Sequence, residues 1–168
     1  GVYSLVSDYG SQFLRFGENG PESVFEIQYS NQSNWYDWGC AHCSEGNYAI
    51  IMNGPRGWSG PEYAQGWSFN VPTEEFYNSF EEGDSRRDAT VLDIEAFAAA
   101  TGASYTEGYD HTGYFNNKYI PRAGESGGQT ELNYLTNFRI IRYSDVLLMA
   151  AEAYNRGGID DGLAQEFL

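Results

Sequence analysis

Basic residues are scarce in this chain of 168 residues: 9 lysines and arginines stand against 24 aspartates and glutamates, a formal charge of −15. Such a surface repels a phosphate backbone instead of releasing its counterions, so nucleic acid is excluded as a partner. The sequence contains no run of 18 apolar residues to span a bilayer and no basic amphipathic face to lie on one. Any membrane attachment must be covalent or run through a partner. Gly1-Val2-Tyr3 is neither a signal peptide nor a lipidation site, so the sequence itself is silent on export. Motifs that announce chemistry are missing too: there is no G-x-S-x-G elbow, Walker loop, dinucleotide fingerprint or EF-hand loop. No internal repeat occurs, and the acidic residues are dispersed instead of gathered in a tail.

Cysteine and histidine are few. Cys40 and Cys43 enclose Ala41-His42 in a C-x-x-C spacing, which admits three readings. A zinc ribbon requires a second pair of ligands, and the other histidine, His111, is far along the chain, so no metal site is expected. A thioredoxin-like pair requires its dithiol at a helix start after a strand, whereas Trp38-Gly39 and Glu45-Gly46-Asn47 read as loop. A local disulfide bracing a surface loop in an oxidising compartment fits best, with free thiols left open.

What the chain has is apolar and aromatic mass, 41% and 17% of its residues, enough for a packed core at this length. The pattern predicts a mainly helical fold with long loops and a few short strands. Residues 3–16 read as a short helix and residues 24–29 as a half-buried strand, with Phe25, Ile27 and Tyr29 alternating against Val24, Glu26 and Gln28. Residues 48–52 fit either a strand or a turn of helix. Thr73 is placed to cap a helix whose first turn carries Glu74 and Glu75, offering Phe76, Tyr77 and Phe80 for burial and closing at Gly83. Residues 84–88 form a charged turn, residues 89–94 have strand character or belong to a helix extended backwards from the following alanines, residues 102–113 read as loop and residues 114–120 as a strand.

Near the C-terminus the period changes abruptly. In residues 137–143, Phe138, Ile140 and Arg142 share one side of an extended segment, and Arg139, Ile141 and Tyr143 the other. A helix then runs over about residues 145–156, with Ser144 as cap, Asp145 at the positive end of the dipole and Gly157 as stop. Val146, Met149, Ala150 and Ala153 make one buried stripe, widened by Leu147 and Tyr154. Ion pairs to local acids, Asp145 among them, account for Arg139 and Arg142. Residues 159–162 form a turn, and residues 163–168 begin another helix, whose apolar face lacks a partner.

The candidate binding residues lie in loops. A sugar ring offers a C–H face that packs on flat aromatics and hydroxyls that need fixed hydrogen-bond partners. Residues 31–66 supply both: Trp35, Tyr36 and Trp38 lie among Asn31, Gln32, Asn34 and Asp37, and Trp58 follows near Arg56, Glu62, Tyr63 and Gln65. Trp67 reads as a plug over the core. Tyr105, Tyr109 and His111, with Glu107 and Asp110, form a second aromatic and polar group, which reads either as a solvated loop with partly buried tyrosines or as a border of the same groove. The ligand set is therefore Asn34, Trp35, Tyr36, Asp37, Trp38, Trp58 and Tyr109. No catalytic constellation emerges: Glu74 and Glu75 are explained by capping and Asp84 and Asp88 by a turn, so no carboxylate pair stands in the apolar frame that a glycosidase needs.

The segment NFRIIRYSDVLLMAAEAYNRGG at residues 137–158 resembles the hallmark of the SusD/RagB family. Glu22-Ser23-Val24-Phe25-Glu26-Ile27-Gln28, Val71-Pro72-Thr73-Glu74-Glu75-Phe76, Asp84-Ser85-Arg86-Arg87-Asp88 and Tyr114-Phe115-Asn116-Asn117-Lys118-Tyr119 resemble further family stretches in the same order. The resemblance implies a non-catalytic lipoprotein of the Bacteroidota outer membrane, exposed at the cell surface and held by a lipid anchor outside this chain. It binds oligo- or polysaccharide without a cofactor and lids a SusC-like TonB-dependent transporter, to which it passes the glycan. The resemblance also implies that residues 1–168 are a single C-terminal-side region of a longer protein, with the family's helical-repeat scaffold only partly present. Peptide uptake, associated with the RagB branch, and glycoside hydrolysis are the rival readings.

Overall fold

A computed structural model describes residues 1–30, 32, 45–126 and 133–168. Two 3-10 turns, Gly10–Phe13 and Arg15–Gly17, replace the expected N-terminal helix. Gly17 folds back onto the first turn so closely that a Cβ would lie 2.2 Å from the Ser11 carbonyl, an approach that a continuous helix could not make. The chain continues through strand β1 (Ser23–Ile27), helix α1 (Ala49–Met52), β2 (Arg56–Ser59), α2 (Glu74–Asn78), α3 (Arg86–Thr90), β3 (Val91–Asp93) and α4 (Ile94–Thr101). It ends with β4 (Ser104–Thr106), β5 (Tyr114–Asn116), β6 (Phe138–Arg142), α5 (Tyr143–Arg156) and α6 (Asp161–Glu166). Among the described residues the strands form three antiparallel pairs, β1 with β6, β2 with β4 and β3 with β5. The architecture is mainly helix and loop with short strands, as the sequence predicts. No described helix is long and apolar enough to cross a membrane.

Local chemistry explains most boundaries. The Thr73 hydroxyl accepts from the Phe76 amide at 3.2 Å and starts α2. Asp93 does the same for α4 at Ala96, and Gly102 ends that helix in the left-handed conformation. Residues 84–88 do more than turn: Asp84 accepts from the Arg86 amide and guanidinium, and α3 follows. That pairing holds the Asp84 carboxyl down at about 2, below the usual carboxylate range. The loop expected over residues 102–113 contains β4, because Ser104 and Thr106 pair with β2.

The hallmark helix begins earlier than expected. Ser144 does not cap it; its hydroxyl is buried without a partner among the described residues. Asp145 instead accepts from the Arg142 amide at 2.9 Å and from its guanidinium at 3.0 Å, which closes the first turn from Tyr143 onward. The buried seam is also displaced. Ala151 is its most buried residue, flanked by half-buried Leu147 and Tyr154, while Met149 is 55% exposed and Ala153 is exposed. Docking of α6 selects this seam: Tyr154 packs on Phe167 at 5.8 Å and Ala164 is buried opposite.

Beneath β1 and β6 lies an inverted polarity. Arg139 and Glu26 are buried and 3.6 Å apart, Glu18 lies 3.9 Å from Arg139, and the Arg139 guanidinium donates to the carbonyls of Asn137 and Leu14. Burial pushes the Glu18 carboxyl upward against these contacts. The opposite face presents Phe25, Ile27, Phe138 and Ile140, each more than a third exposed. The period-2 alternation is the expected one, but the buried face is the reverse of that of an ordinary half-buried strand, with charge inside and hydrocarbon outside.

Two apolar clusters form the core elsewhere. Ile94, Phe115, Leu92, Ile120 and Tyr63 make one. Ile50, Ile51 and Tyr134 make the other. Residues 67–71 bridge them, Trp67 packing on the second and Val71 on the first.

Candidate functional site

Close backbone approaches that only glycine allows build the bridge. The amides of Gly66, Trp67, Ser68 and Phe69 donate to the carbonyls of Pro55, Ile51, Gly54 and Met52 at 2.8 to 2.9 Å. A Cβ on Gly66 would lie 2.3 Å from the Gly54 Cα, and one on Gly108 2.6 Å from the Ser68 Cβ. The loop of residues 107–110 is thus pressed against the segment of residues 66–70. Thr112 completes the join by donating to the Pro72 carbonyl at 2.7 Å.

Between the two segments lies a groove of about 480 Å³, a volume typical of ligand sites, bordered by Arg56, Trp67, Phe69, Glu107, Tyr109 and Asp110. Tyr109 is 92% exposed and Phe69 51% exposed. Neither ring belongs to the two described core clusters. Arg56 steadies Phe69, its guanidinium 5.7 Å from the ring centre while its Nε donates to the Trp67 carbonyl at 2.9 Å. Glu107 and Asp110 are exposed carboxylates beside Tyr109. The result is flat apolar surface rimmed by hydrogen-bonding groups.

Backbone strain collects in the same place. Of the five described non-glycine residues with positive φ, Ser68 (58°), Asn70 (51°) and Asp110 (54°) all line this groove. Aspartate and asparagine tolerate the left-handed region; serine does so at some cost. Such conformations cluster where a fold holds side chains for a purpose.

The expected ligand residues fall in three places. Asn34, Trp35, Tyr36, Asp37 and Trp38, and the pair Cys40 and Cys43, lie outside the described residues. Tyr109 stands on the groove. Trp58 packs into the first cluster, its ring 5.9 Å from Tyr63 and 6.0 Å from Phe97, with its indole N–H buried. Gly57, at φ 58°, breaks the β2 register and lets Arg56 face the groove while Trp58 turns inward. His111 and Tyr105 also turn away from solvent, joined by a 3.3 Å hydrogen bond, with the His111 ring 6.2 Å from core Phe115. The sequence alone does not single out Phe69 and Asn70. The signal available for them was the density of glycines at 54, 57, 60, 66 and 108, which marks close backbone approaches but not the partners. Among the described residues no group of three or more histidines, cysteines or acids could hold a metal.

Comparison with known proteins places the chain in a family. The SusD family model matches residues 21–168. A SusD-like protein, P2, from Formosa agariphila is 31% identical over 143 residues, 80% of this chain and 26% of the relative. Surface glycan-binding protein A from Bacteroides thetaiotaomicron, solved in complex with laminarihexaose, superposes with a TM-score of 0.88 at 34% identity, over 99% of this chain and 38% of that one. A laminarin-binding SusD-like protein gives 0.86 at 37% identity, over 99% and 37%. The chain therefore spans between about a quarter and two fifths of these relatives. With family model, sequence relative and solved folds agreeing over nearly its whole length, the chain is a member of the SusD family.

Proposed function

We propose that this chain carries a glycan-binding face of a non-catalytic cell-surface protein, and that the groove beside Tyr109 and Phe69 is part of that face. The observation that carries the reading is the pair of exposed rings fixed over a polar-rimmed groove by strained and glycine-dependent backbone. Stacking supplies affinity and the rim supplies orientation. Binding of laminarin and laminarihexaose by relatives supports a β-glucan as ligand class. Glu107 and Asp110 stand on the open rim, outside any apolar frame that would make one of them a general acid, which fits capture without cleavage. Asn34, Trp35, Tyr36, Asp37 and Trp38 remain proposed contributors to glycan binding, whereas Trp58, packed on Tyr63 and Phe97, is proposed only to support the groove from the core side.

Family membership supports the wider role: attachment to the outer membrane through a lipid outside this chain, and delivery of glycan to a SusC-like TonB-dependent transporter. The exposed apolar face of β1 and β6, and the exposed Leu148 and Met149 on α5, are proposed to be covered by the remainder of a longer protein, given relatives more than twice this length. Calorimetry with laminarin, paired with product analysis of the same samples, tests the proposal. Saturable binding without new reducing ends supports it. Cleavage products, or binding of peptides alone, overturn it.

A further inference from the structure

The groove does not end at Asn70. A second depression of about 330 Å³ shares Asn70 and Val71 with it and continues past Phe76, Thr90, Asn116 and Lys118. Its polar equipment is fixed by a chain of amide orientations. Asn53 Nδ2 donates to the carbonyls of Ala49 (3.1 Å) and Tyr119 (3.2 Å), so its Oδ1 is the end left to accept, and Asn70 Nδ2 donates to it at 3.1 Å. Asn70 is therefore held with Oδ1 free. Asn116 is set the opposite way: its Oδ1 accepts from the amides of Lys118 (3.1 Å) and Tyr119 (3.4 Å), which leaves Nδ2 as a donor without a partner among the described residues. The depression thus presents one fixed acceptor and one fixed donor beside the ring of Phe76, which is 46% exposed.

Among the described residues each depression is lined by a single cation, and each cation is engaged with a ring. The Lys118 ammonium lies over the rings of Phe13 (4.6 Å) and Tyr9 (5.2 Å), and the Arg56 guanidinium is committed to the Trp67 carbonyl and the Phe69 ring. Glu107 and Asp110 on the rim offset the charges of Arg56 and Lys118, so the two depressions carry no net positive charge, and the chain's formal charge of −15 opposes a polyanion at longer range.

Resting on the glycan-binding reading above, we propose that Asn70, Phe76 and Asn116 form a second sugar subsite for a neutral glycan chain that crosses both depressions. A hydroxyl can both donate and accept, so two neighbouring hydroxyls of one sugar can meet Asn70 Oδ1 and Asn116 Nδ2 while a C–H face rests on Phe76. The ligand is then an extended chain of several sugars, free of carboxylate and sulfate.

The test is calorimetry of the whole chain with β-1,3-linked glucose oligomers of three and six units and with a galacturonic acid hexamer. The neutral hexamer should bind more tightly than the trimer, and the acidic hexamer should not bind. Asn116→Asp keeps both backbone contacts through Oδ1 but replaces the donor; it and Phe76→Ala should each weaken hexamer binding about tenfold while sparing the trimer. Asn70→Gly accommodates the left-handed backbone and, because Asn70 borders both depressions, should weaken binding of hexamer and trimer alike. Unchanged thermal midpoints would exclude misfolding as the cause. If Tyr109→Ala weakens binding but all three variants bind the hexamer like wild type, the second subsite is overturned and the first groove stands. Equal binding of the acidic hexamer overturns the neutral-chain claim. Failure of the wild-type chain to bind either glucan overturns both readings.

Discussion

Two regions of this chain leave large apolar side chains in the open, and they do so differently. At the groove, Phe69 and Tyr109 are single rings separated by polar groups and held by backbone in costly conformations. On the β1–β6 sheet, Phe25, Ile27, Phe138 and Ile140 form a hydrocarbon face over extended backbone that is bulged around Phe25 but has no positive φ, with the charges packed beneath. The first arrangement suits a ligand that is itself half apolar and half hydroxyl. The second offers few polar partners and suits burial against more protein. Exposure alone does not separate these roles; the polar surroundings and the backbone do.

The comparison can be broken most forcefully from beneath the sheet. Arg139→Ala would leave buried Glu26 without its cation, at a cost of about 3–5 kcal/mol. Thermal or urea unfolding should show the largest loss of any variant named here, and an unchanged midpoint would mean the inverted sheet does not depend on that pair. Gly66→Ala comes next. Its methyl has nowhere to go against the Gly54 backbone, so stability should fall by roughly 1–3 kcal/mol and glycan affinity should fall with it as Phe69 shifts. Tyr109→Ala should separate the two properties, weakening glycan binding by about 1–2 kcal/mol, near tenfold, with stability within about 0.5 kcal/mol of wild type. Ile140→Ser should change neither binding nor the midpoint by more than about 0.5 kcal/mol, while reducing self-association in sedimentation velocity.

The smallest effect concerns acid. Asp84 titrates at about 2 in the fold and near 3.8 when free, because it accepts from Arg86. The depressed folded value means that its contribution is present above about 3.8 and disappears as the pH falls through about 2. Carboxyl chemical shifts should report that midpoint, and Arg86→Ala should move it up toward the free value.

Local rules carried much of the fold into view. Thr73 capping α2, Glu74 and Glu75 in its first turn, and the strand-to-helix switch at residues 138–156 follow from side-chain chemistry within a few residues. Where a distant element decides, local reading fails. Ala151, not the stripe through Met149, is buried in α5 because α6 selects the face. Arg142 and Asp145 close the helix start because Arg142 ends a strand paired with β1, which frees its amide for the carboxylate. The groove is less legible still. Tyr109 stands out as an aromatic among acids and glycines, but Phe69 joins it only because Gly54, Gly66 and Gly108 let distant backbones touch. Trp58 and Arg56 sit two residues apart, yet the left-handed Gly57 sends one into the core and leaves the other at the groove, a choice that alternation does not predict.

Backbone amide chemical-shift mapping with laminarihexaose tests the central claim most directly, because both regions report in one experiment. The account predicts that perturbations gather at residues 67–72 and 107–110, with the exposed face of β1 and β6 silent. Perturbations confined to Phe25, Ile27, Phe138 and Ile140, with the groove unmoved, would contradict it.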